Sequence, residues 1–397
     1  PDGVEYKTIR DICKKIASGG TPTASKSEYY NGYIPWLRTQ EVDWKDILDT
    51  EIKITELGYN NSSTKWIPKN CVIVAMYGAT AAKVAINKIP LTTNQACCNL
   101  EIDERIAEYK YVYYWLCKEY INLKSLGQGS QHNINANIIK NYKLPVPPLE
   151  VQREIVRILD NFTFLTTELA AELAARQKQY EYYKEYLFEN HISDVEWKRL
   201  DELFPFIRNG FVGTIKSFFT NETDGIRYLE GTNIHDGVIS DNEILYVTKE
   251  FHEKHIKNQL KADDILMVQS GHIGECAVVG KKYEGANCHA LIIMSNGGEC
   301  LSKYYVYYFH TLKGFKSLTP AITGGTIKHV LAGKVGKIKV PVPPLAVQQR
   351  IVDILDRFDT LCNDISSGLP AEIEARQKQY EYYRDKLLTF KELKKEA

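Results

Sequence analysis

Two stretches of the sequence lack acidic side chains and carry groups that bind phosphates. The chain has 50 acidic residues among 397, yet none falls between Glu299 and Asp353 or between Glu119 and Glu150. Lysine and arginine without neighbouring carboxylates favour contact with phosphates. The cations of the longer stretch are Lys303, Lys313, Lys316, Lys328, Lys334, Lys337, Lys339 and Arg350, and those of the shorter stretch include Lys124, Lys140 and Lys143.

The same stretches contain side-chain donors of the kinds that contact phosphates and base edges. The simpler alternative is a solvated basic face beside a buried strand, but the recurrence of the pattern at matching places in both halves of the chain favours binding. The donors are Gln128, Ser130, Gln131, His132 and Asn133 in the first half, and Thr326, Lys328 and His329 in the second.

Motifs for catalysis are missing from the sequence. It contains no P-loop, no GxGxxG after a strand, no HExxH and no [ND]PP[YF] methyltransferase signature. A nuclease-like pattern of carboxylates and a lysine can be read in Asp2, Glu5 and Lys7, and again in Asp194, Glu196 and Lys198. The two acids of each set lie too close in sequence for a metal pocket built from two adjacent strands. We therefore predict no catalytic residue and no metal site in this chain.

A duplicated block positions these groups. PVPPLEVQREIVRILDNF at 145–162 returns as PVPPLAVQQRIVDILDRF at 341–358, and ARQKQYEYY follows both copies. Apolar residues at three-to-four spacing predict a long helix after each PVPP, with one seam for a helical partner. About 40 residues at 1.5 Å each give roughly 60 Å per helix. Gly368 and Pro370 predict a break in the second copy.

The regions before the two blocks also correspond. Gly78 matches Gly271, and the YVYY run at 111–114 matches that at 305–308. We therefore predict an α+β protein with an internal duplication: mixed α/β domains at 1–144 and 192–340, and long helices at 145–191 and 341–397 that pack as an antiparallel coiled coil.

Net charge, apolar runs and cysteine content limit the partners and the cellular location that the sequence predicts. Formal net charge is zero, so any binding of nucleic acid must depend on local charge. No run of 18 apolar residues is present, which predicts that the chain does not span a membrane. Nine cysteines without a CxxC pair are typical of reduced thiols, so we expect a cytoplasmic protein.

The PVPPLxxQxxIVxxL block, present twice, resembles the specificity subunit of Type I restriction–modification systems. The resemblance covers the whole chain. GGTPTASKSEYYNGYIPWLRTQEV at 19–42, YGATAAKVAI at 77–86 and NQA at 94–96 are similar to parts of a target-recognition domain. The second half departs from this pattern, with NGFVGT from Asn209 and NCHA from Asn287.

The resemblance implies a DNA reader without catalytic activity. Each domain would read one half of an asymmetric bipartite site in double-stranded DNA, and the helices would fix the spacing and dock methyltransferase subunits. Restriction and translocase subunits would join the same complex. S-adenosylmethionine, ATP and magnesium would be bound by those partner subunits, and this chain would hold no cofactor.

The resemblance and the residue chemistry together assign candidate positions beyond the donors above. The further DNA-binding candidates are Gly19, Gly20, Thr21, Thr23, Arg38, Tyr77, Thr80, Lys83, Asn209, Asn233, Gln269, Ser270 and His272. The partner-binding candidates are Gln152, Arg153, Arg176, Gln348, Arg350 and Arg376.

Two other functions stay open from the sequence. A scaffold that joins proteins through its helices would keep all its measurable properties when Lys328 and His329 are replaced. A self-contained nuclease or methyltransferase would be active alone with metal or S-adenosylmethionine, and would lose that activity when Glu196 is replaced.

Overall fold

The computed structural model describes residues 3–127, 133–190, 195–325 and 328–393. Within it the chain forms two compact units, Pro1–Ala170 with Glu372–Ala397, and Ala171–Ala371. These units do not coincide with the four predicted ranges, because each unit combines a globular part with part of both long helical regions.

The globular part of the first unit is built on two small sheets. The larger has the strand order β2-β10-β7-β8-β4, the smaller β5-β3-β9-β6, and β1 pairs with β11. The strands are β1 Tyr6–Thr8, β2 Cys13–Ser18, β3 Tyr30–Leu37, β4 Asp46–Ile47, β5 Lys53–Ile54, β6 Trp66–Ile67, β7 Val72–Ala75, β8 Val84–Asn87, β9 Leu91–Thr93, β10 Cys97–Ile102 and β11 Lys143–Pro145, and the helices α1 Glu56–Asn60, α2 Tyr109–Lys118, α3 Tyr120–Ser125 and α4 Ala136–Asn141.

Strand β7 is the centre of this part. All four of its residues are buried, as the continuous apolar run of the sequence predicts for a strand covered on both faces. Helix α2 covers one face of the sheet with the buried side chains of Tyr111 and Leu116. The tyrosine-rich helix is therefore part of the core, as is its counterpart in the second unit, where Tyr304, Tyr305 and Tyr308 are buried.

The first long helix, α5, runs from Leu149 to Asn190 without interruption. The globular part that follows it repeats the plan of the first: β13-β22-β19-β20 corresponds to β2-β10-β7-β8, and β12–β25 to β1–β11. The strands are β12 Glu196–Arg199, β13 Phe206–Asn209, β14 Phe219–Thr220, β15 Gly225–Leu229, β16 Ile234–His235, β17 Val238–Ile239, β18 Leu245–Thr248, β19 Ile265–Val268, β20 Cys276–Val278, β21 Asn287–Cys288, β22 Leu291–Ser295, β23 Ile322–Thr323, β24 His329–Val330 and β25 Lys339–Val342, and the helices α6 Leu200–Leu203, α7 Lys249–Lys254, α8 Ser302–Phe309, α9 Leu312–Ser317 and α10 Ala332–Val335.

The second long region is broken as its sequence predicts. Helix α11 covers Leu345–Asn363 and helix α12 covers Leu369–Leu387. Gly368 lies in the break, where a β-carbon would approach the carbonyl oxygen of Thr360 to 2.4 Å. Pro370 stands in the first turn of α12, where its missing N–H costs nothing.

The long helices pack along the predicted seam inside each unit. In the second unit Tyr180 of α5 stacks on Phe358 of α11 at 6.1 Å, whereas Phe188, further along α5, joins the core cluster of Ile351, nearer the start of α11. Residues later in α5 therefore pack near residues earlier in α11, so the two helices are antiparallel. In the first unit Phe162 of α5 stacks on Tyr383 of α12 at 5.4 Å.

Two polar contacts fasten each globular part to its helix. Asp160 of α5 accepts hydrogen bonds from Tyr114 Oη at 2.7 Å and Lys110 Nζ at 2.6 Å. Asp356 of α11 is bound in the same way by Tyr307 Oη at 2.6 Å and Lys303 Nζ at 2.8 Å. One cation of the acid-free stretch, Lys303, is therefore engaged internally.

Candidate nucleic-acid interface

Several loops of the first unit meet at one edge of its sheets. The N–H of Asn94 donates to the carbonyl of Leu37 at 2.9 Å, and the N–H of Met76 donates to the carbonyl of Ala96 at 2.8 Å. These bonds join the loops that follow β3, β7 and β9. We call residues 38–43, 76–83, 94–96 and 133–134 the first loop face.

The acid-free stretch is tied to this face. Ile134 N–H donates to the carbonyl of Met76 at 2.9 Å, and the side-chain oxygen of Asn133 accepts a bond from Gly78 N–H at 3.0 Å. Thr80 Oγ1 donates to the carbonyl of Thr39 at 2.8 Å. The structure therefore brings Asn133 beside the turn that carries Tyr77 and Thr80, although Asn133 is far from both in the sequence.

The two cations of the first loop face are held by carboxylates. Lys83 Nζ lies 2.6 Å from Asp43 Oδ1, and Arg38 Nη2 lies 3.0 Å from Glu51 Oε2. A phosphate would have to compete with these acids. Tyr77, in contrast, is 44% exposed and offers a hydroxyl and an aromatic face.

The second unit has a corresponding surface. His289 N–H donates to the carbonyl of Leu229 at 2.8 Å, and Val330 N–H donates to the carbonyl of Gln269 at 2.9 Å. Ser270 forms a β-bridge with His329. We call residues 230–235, 269–273, 288–290 and 328–330 the second loop face.

A turn with a left-handed glycine occupies the same place in both faces. Gly78 has φ +80° and Gly271 has φ +83°, and a β-carbon built on either would meet nothing within 4 Å. Positive φ favours glycine, and the open space leaves main chain accessible. Both turns can therefore be approached closely by another molecule.

The second loop face is richer in histidine than the first. The rings of His235 and His272 lie 6.0 Å apart at 79°, and both side chains are exposed. Lys328 and His329 are exposed as well. Three of these four residues, His272, Lys328 and His329, are predicted from the sequence. His235 is not, because its only signal in the sequence is its position after β15.

Behind this face, the carboxylate of Glu275 accepts a hydrogen bond from the N–H of Asp236 at 3.0 Å and lies 3.4 Å from His310 Nε2. The proximity of His310 lowers the pKa of Glu275. This pair orders the loop that carries His235.

Three predicted DNA contacts have structural roles instead. A β-carbon on Gly19 would lie 1.9 Å from the carbonyl oxygen of Thr93, and one on Gly20 would lie 2.3 Å from Ser63 Oγ, so both glycines permit close backbone packing. Asn233 is 1% exposed, and its side-chain oxygen accepts a bond from Glu230 N–H at 2.9 Å. None of the three has a side chain available for DNA.

The remaining candidates divide by position. Thr21 is exposed and its hydroxyl bonds to Gln95 of the first loop face, a residue that the sequence analysis did not select. Thr23 and Asn209 are exposed, Thr23 in the loop between β2 and β3 and Asn209 as the last residue of β13. Five candidates lie outside the described residues: Gln128, Ser130, Gln131, His132 and Thr326.

Two predicted partner contacts are corrected. Gln152 and Gln348 are both 0% exposed. Gln348 Oε1 accepts the N–H of Leu301 at 2.9 Å and its Nε2 donates to the carbonyl of Pro343 at 2.8 Å. Gln152 makes the matching bonds to Glu108 N–H and the carbonyl of Pro147, at 2.9 and 2.8 Å. These amides hold each domain to its helix and offer no surface.

The arginine candidates remain on the surface. Arg153 and Arg350 are exposed near the starts of α5 and α11. Arg176 and Arg376 are half-buried, and each is engaged by the glutamate one turn earlier, Glu172 at 3.3 Å and Glu372 at 2.8 Å.

Across the described ranges, no group of three or more His, Cys, Asp or Glu side chains could hold a metal ion. Among the helices in the same ranges, none is long and apolar enough to cross a membrane.

Two diverged domains of one plan, each with its loops gathered at a sheet edge and joined to paired long helices, are the architecture of a two-part recognition subunit. The sequence profile of the Type I restriction modification DNA specificity domain matches residues 1–176 and 192–375. The chain belongs to this family.

Individual proteins agree with the family assignment. The chain is 36% identical over 309 residues to the specificity subunit of the Type I restriction enzyme EcoR124I/EcoR124II of Escherichia coli, covering 72% of each chain. It is 27% identical over 406 residues to the EcoprrI specificity subunit of E. coli, covering 92% of this chain and 90% of that protein. Both relatives are specificity subunits of Type I restriction enzymes.

Solved structures share the fold. One is a Type I restriction–modification system described for its complex assembly and conformational transition, with a TM-score of 0.66 at 17% identity over 98% of both chains. The S subunit from M. genitalium gives a TM-score of 0.56 at 16% identity, covering 97% of this chain and 96% of that one.

Proposed function

We propose that this chain is the DNA-recognition subunit of a Type I restriction–modification complex, in which each loop face reads one half of an asymmetric bipartite site. The observation that carries the proposal is the repetition of one loop-face construction with different side chains. Loop faces built on similar strands and turns, but with different side chains, suit two half-sites of different sequence. To read both half-sites of one bipartite site, the two loop faces must bind the same DNA molecule.

The chemistry of the two faces differs. The first presents Tyr77, Asn133 and Gln95, whose hydroxyl and amide groups suit base edges, with its cations neutralised by acids. The second presents Lys328 with His235, His272 and His329. Amides and hydroxyls read donors and acceptors in the major groove, whereas lysine adds a phosphate contact.

The paired helices act as a spacer in this proposal. Helix α5 has 42 residues, which at 1.5 Å each extend about 63 Å. Its length would fix the number of unread base pairs between half-sites. The exposed Arg153 and Arg350, near the starts of α5 and α11, would face the methyltransferase subunits.

The enzymatic steps belong to partner subunits in this proposal. Methyltransferase subunits would supply S-adenosylmethionine and flip the target base, and restriction and translocase subunits would supply ATP- and magnesium-dependent activity. This chain's own residues bind and position the DNA.

Replacement of Lys328 and His329 by glutamine in the assembled methyltransferase complex tests the proposal. We expect weaker DNA binding and a smaller dependence on salt, because one phosphate contact contributes about 0.9 to the salt slope. Lys281→Gln is the matched control, since Lys281 is exposed at the other end of the β19–β20 hairpin. Unchanged binding in the double variant would support a scaffold that does not read DNA.

A further inference from the structure

A groove in the second unit is lined by three lysines. Lys334 and Lys337, from α10 and the turn after it, and Lys339, at the start of β25, border this groove together with Ser317 and Pro320. All three lysine side chains are exposed. The groove is separate from the second loop face but connected to it by β24, which ends at Val330, and by the bond from Leu331 N–H to the carbonyl of Ala321 at 3.0 Å.

No carboxylate neutralises these lysines among the described residues. None of the three lies within 4.0 Å of an acidic side chain there, in contrast to Lys303, which is paired with Asp356. Asp201, whose N–H donates to the carbonyl of Gly336 at 3.0 Å, is itself paired with Arg199. The groove therefore carries uncompensated positive charge on a chain whose net charge is zero.

The first unit repeats this feature only in part, with Lys140 and Lys143 as the cations of its matching stretch. In the register that aligns Ile134 with Val330 and Pro145 with Pro341, Lys334 and Lys337 fall on Ile138 and Asn141. Of the three lysines, only Lys339 has a lysine counterpart, Lys143. Helices α4 and α10 start at matching positions of the two units, so the units differ here in charge and both have a helix at this place.

We propose that this lysine groove binds the DNA backbone beside the half-site read by the second loop face, as a phosphate contact with more cations than the corresponding part of the first unit. The inference rests on the proposed function. Phosphates are the complementary partner because ammonium groups without carboxylates, lining an open groove, match a polyanion that releases counterions when bound. The groove contributes affinity and positioning but no base discrimination.

The consequence is an asymmetric salt dependence. Three lysines that each neutralise one phosphate contribute about 2.7 to the slope of log affinity against log salt, at about 0.9 each. Between 50 and 200 mM salt, the affinity advantage of the unaltered protein over a variant lacking them should shrink about 40-fold.

The experiment uses the full chain assembled with its methyltransferase subunits, and duplexes that carry the cognate or a scrambled site. Lys334→Gln/Lys337→Gln/Lys339→Gln is compared with Lys257→Gln/Lys261→Gln/Lys281→Gln, which removes the same charge from exposed lysines that precede β19 or follow β20. We expect the groove variant alone to lose about 2.7 from the slope. The ratio of cognate to scrambled affinity should stay the same for both variants.

The outcomes distinguish a failure of the groove proposal from a failure of the proposed function. If the unaltered complex does not prefer the cognate duplex, the proposed function fails. If it does and both variants lose equal slope, or the groove variant loses none, the groove is not a phosphate site. Equal thermal midpoints for both variants exclude loss of folding as the cause, and a single Lys337→Gln variant with a slope change of about 0.9 provides a second measurement.

Discussion

Removal of the Gln348 side chain should destabilise the second unit rather than weaken a surface contact. Its amide bridges the N–H of Leu301, at the start of α8, and the carbonyl of Pro343, in the turn before α11. Gln348→Ala leaves both backbone groups buried and without that partner. One polar connection between the domain core and its helix is then lost, while the bonds to Asp356 remain.

The magnitude of the destabilisation follows from the two backbone groups that are left without a hydrogen-bond partner in an apolar environment. Each buried polar group left without a partner costs about 1–3 kcal/mol, so we expect the free energy of unfolding to fall by about 3–5 kcal/mol once the small cavity is included. For a unit of this size, each kcal/mol lowers Tm by about 2–4 °C. The expected decrease is roughly 6–20 °C for the transition of the second unit.

Gln349 provides the matched control. It is the next residue, is exposed, and bonds only to Asp353 one turn later, at 2.7 Å. Gln349→Ala should change the free energy of unfolding by less than about 0.5 kcal/mol. Both variants are measured by urea unfolding followed by circular dichroism, and by assembly with methyltransferase subunits at a temperature well below both transitions.

The reasoning would be refuted by the reverse pattern. If Gln348→Ala retains the stability of the unaltered chain but assembles poorly, the side chain contacts a partner and is not an internal clamp. Gln152→Ala in the first unit should reproduce the destabilisation, because Gln152 makes the equivalent bonds.

Three further predictions concern the helices. Gly368→Ala should lower stability by about 1–3 kcal/mol in urea unfolding, because its β-carbon would lie 2.4 Å from a carbonyl oxygen; unchanged stability would mean that the break relaxes freely. Hydrogen bonds, first among them that from Ser366, lower the pKa of Asp364 to about 2, so the stability they supply is complete above the ordinary aspartate pKa near 4 and is lost as pH falls toward 2. Ser366→Ala should reduce that loss between pH 4 and 2, and identical acid titrations of both proteins would contradict this. One helical turn inserted between Leu165 and Arg176 adds about 5.4 Å, so the gap in the methylated motif should grow by one or two base pairs with both half-sites unchanged; a constant gap would contradict the spacer.

The sequence predicted features that depend on local pattern. The duplication, the start of α5 at Leu149 and of α11 at Leu345, and the interruption near Gly368 all follow from spacing and from proline and glycine chemistry, and the structure confirms them. The buried strand β7 and its glycine turn were equally visible. These features are set by residues close together in the chain.

Features that depend on distant contacts were not predictable. Gln152 and Gln348 look like surface residues on a polar helix, and only the fold shows that backbone groups from α2 and α8 need their amides. Lys83 and Arg38 look like free cations until the fold places Asp43 and Glu51 beside them. Likewise, only the fold places His235 beside the ring of His272.

The most direct test is methylome sequencing of DNA from cells that express this chain with its methyltransferase subunits. The account predicts one new methylated motif with two different half-sites and a fixed gap, and predicts that Lys328→Gln/His329→Gln reduces methylation at that motif. A single uninterrupted motif, or no motif although the subunits are shown to assemble, would contradict it.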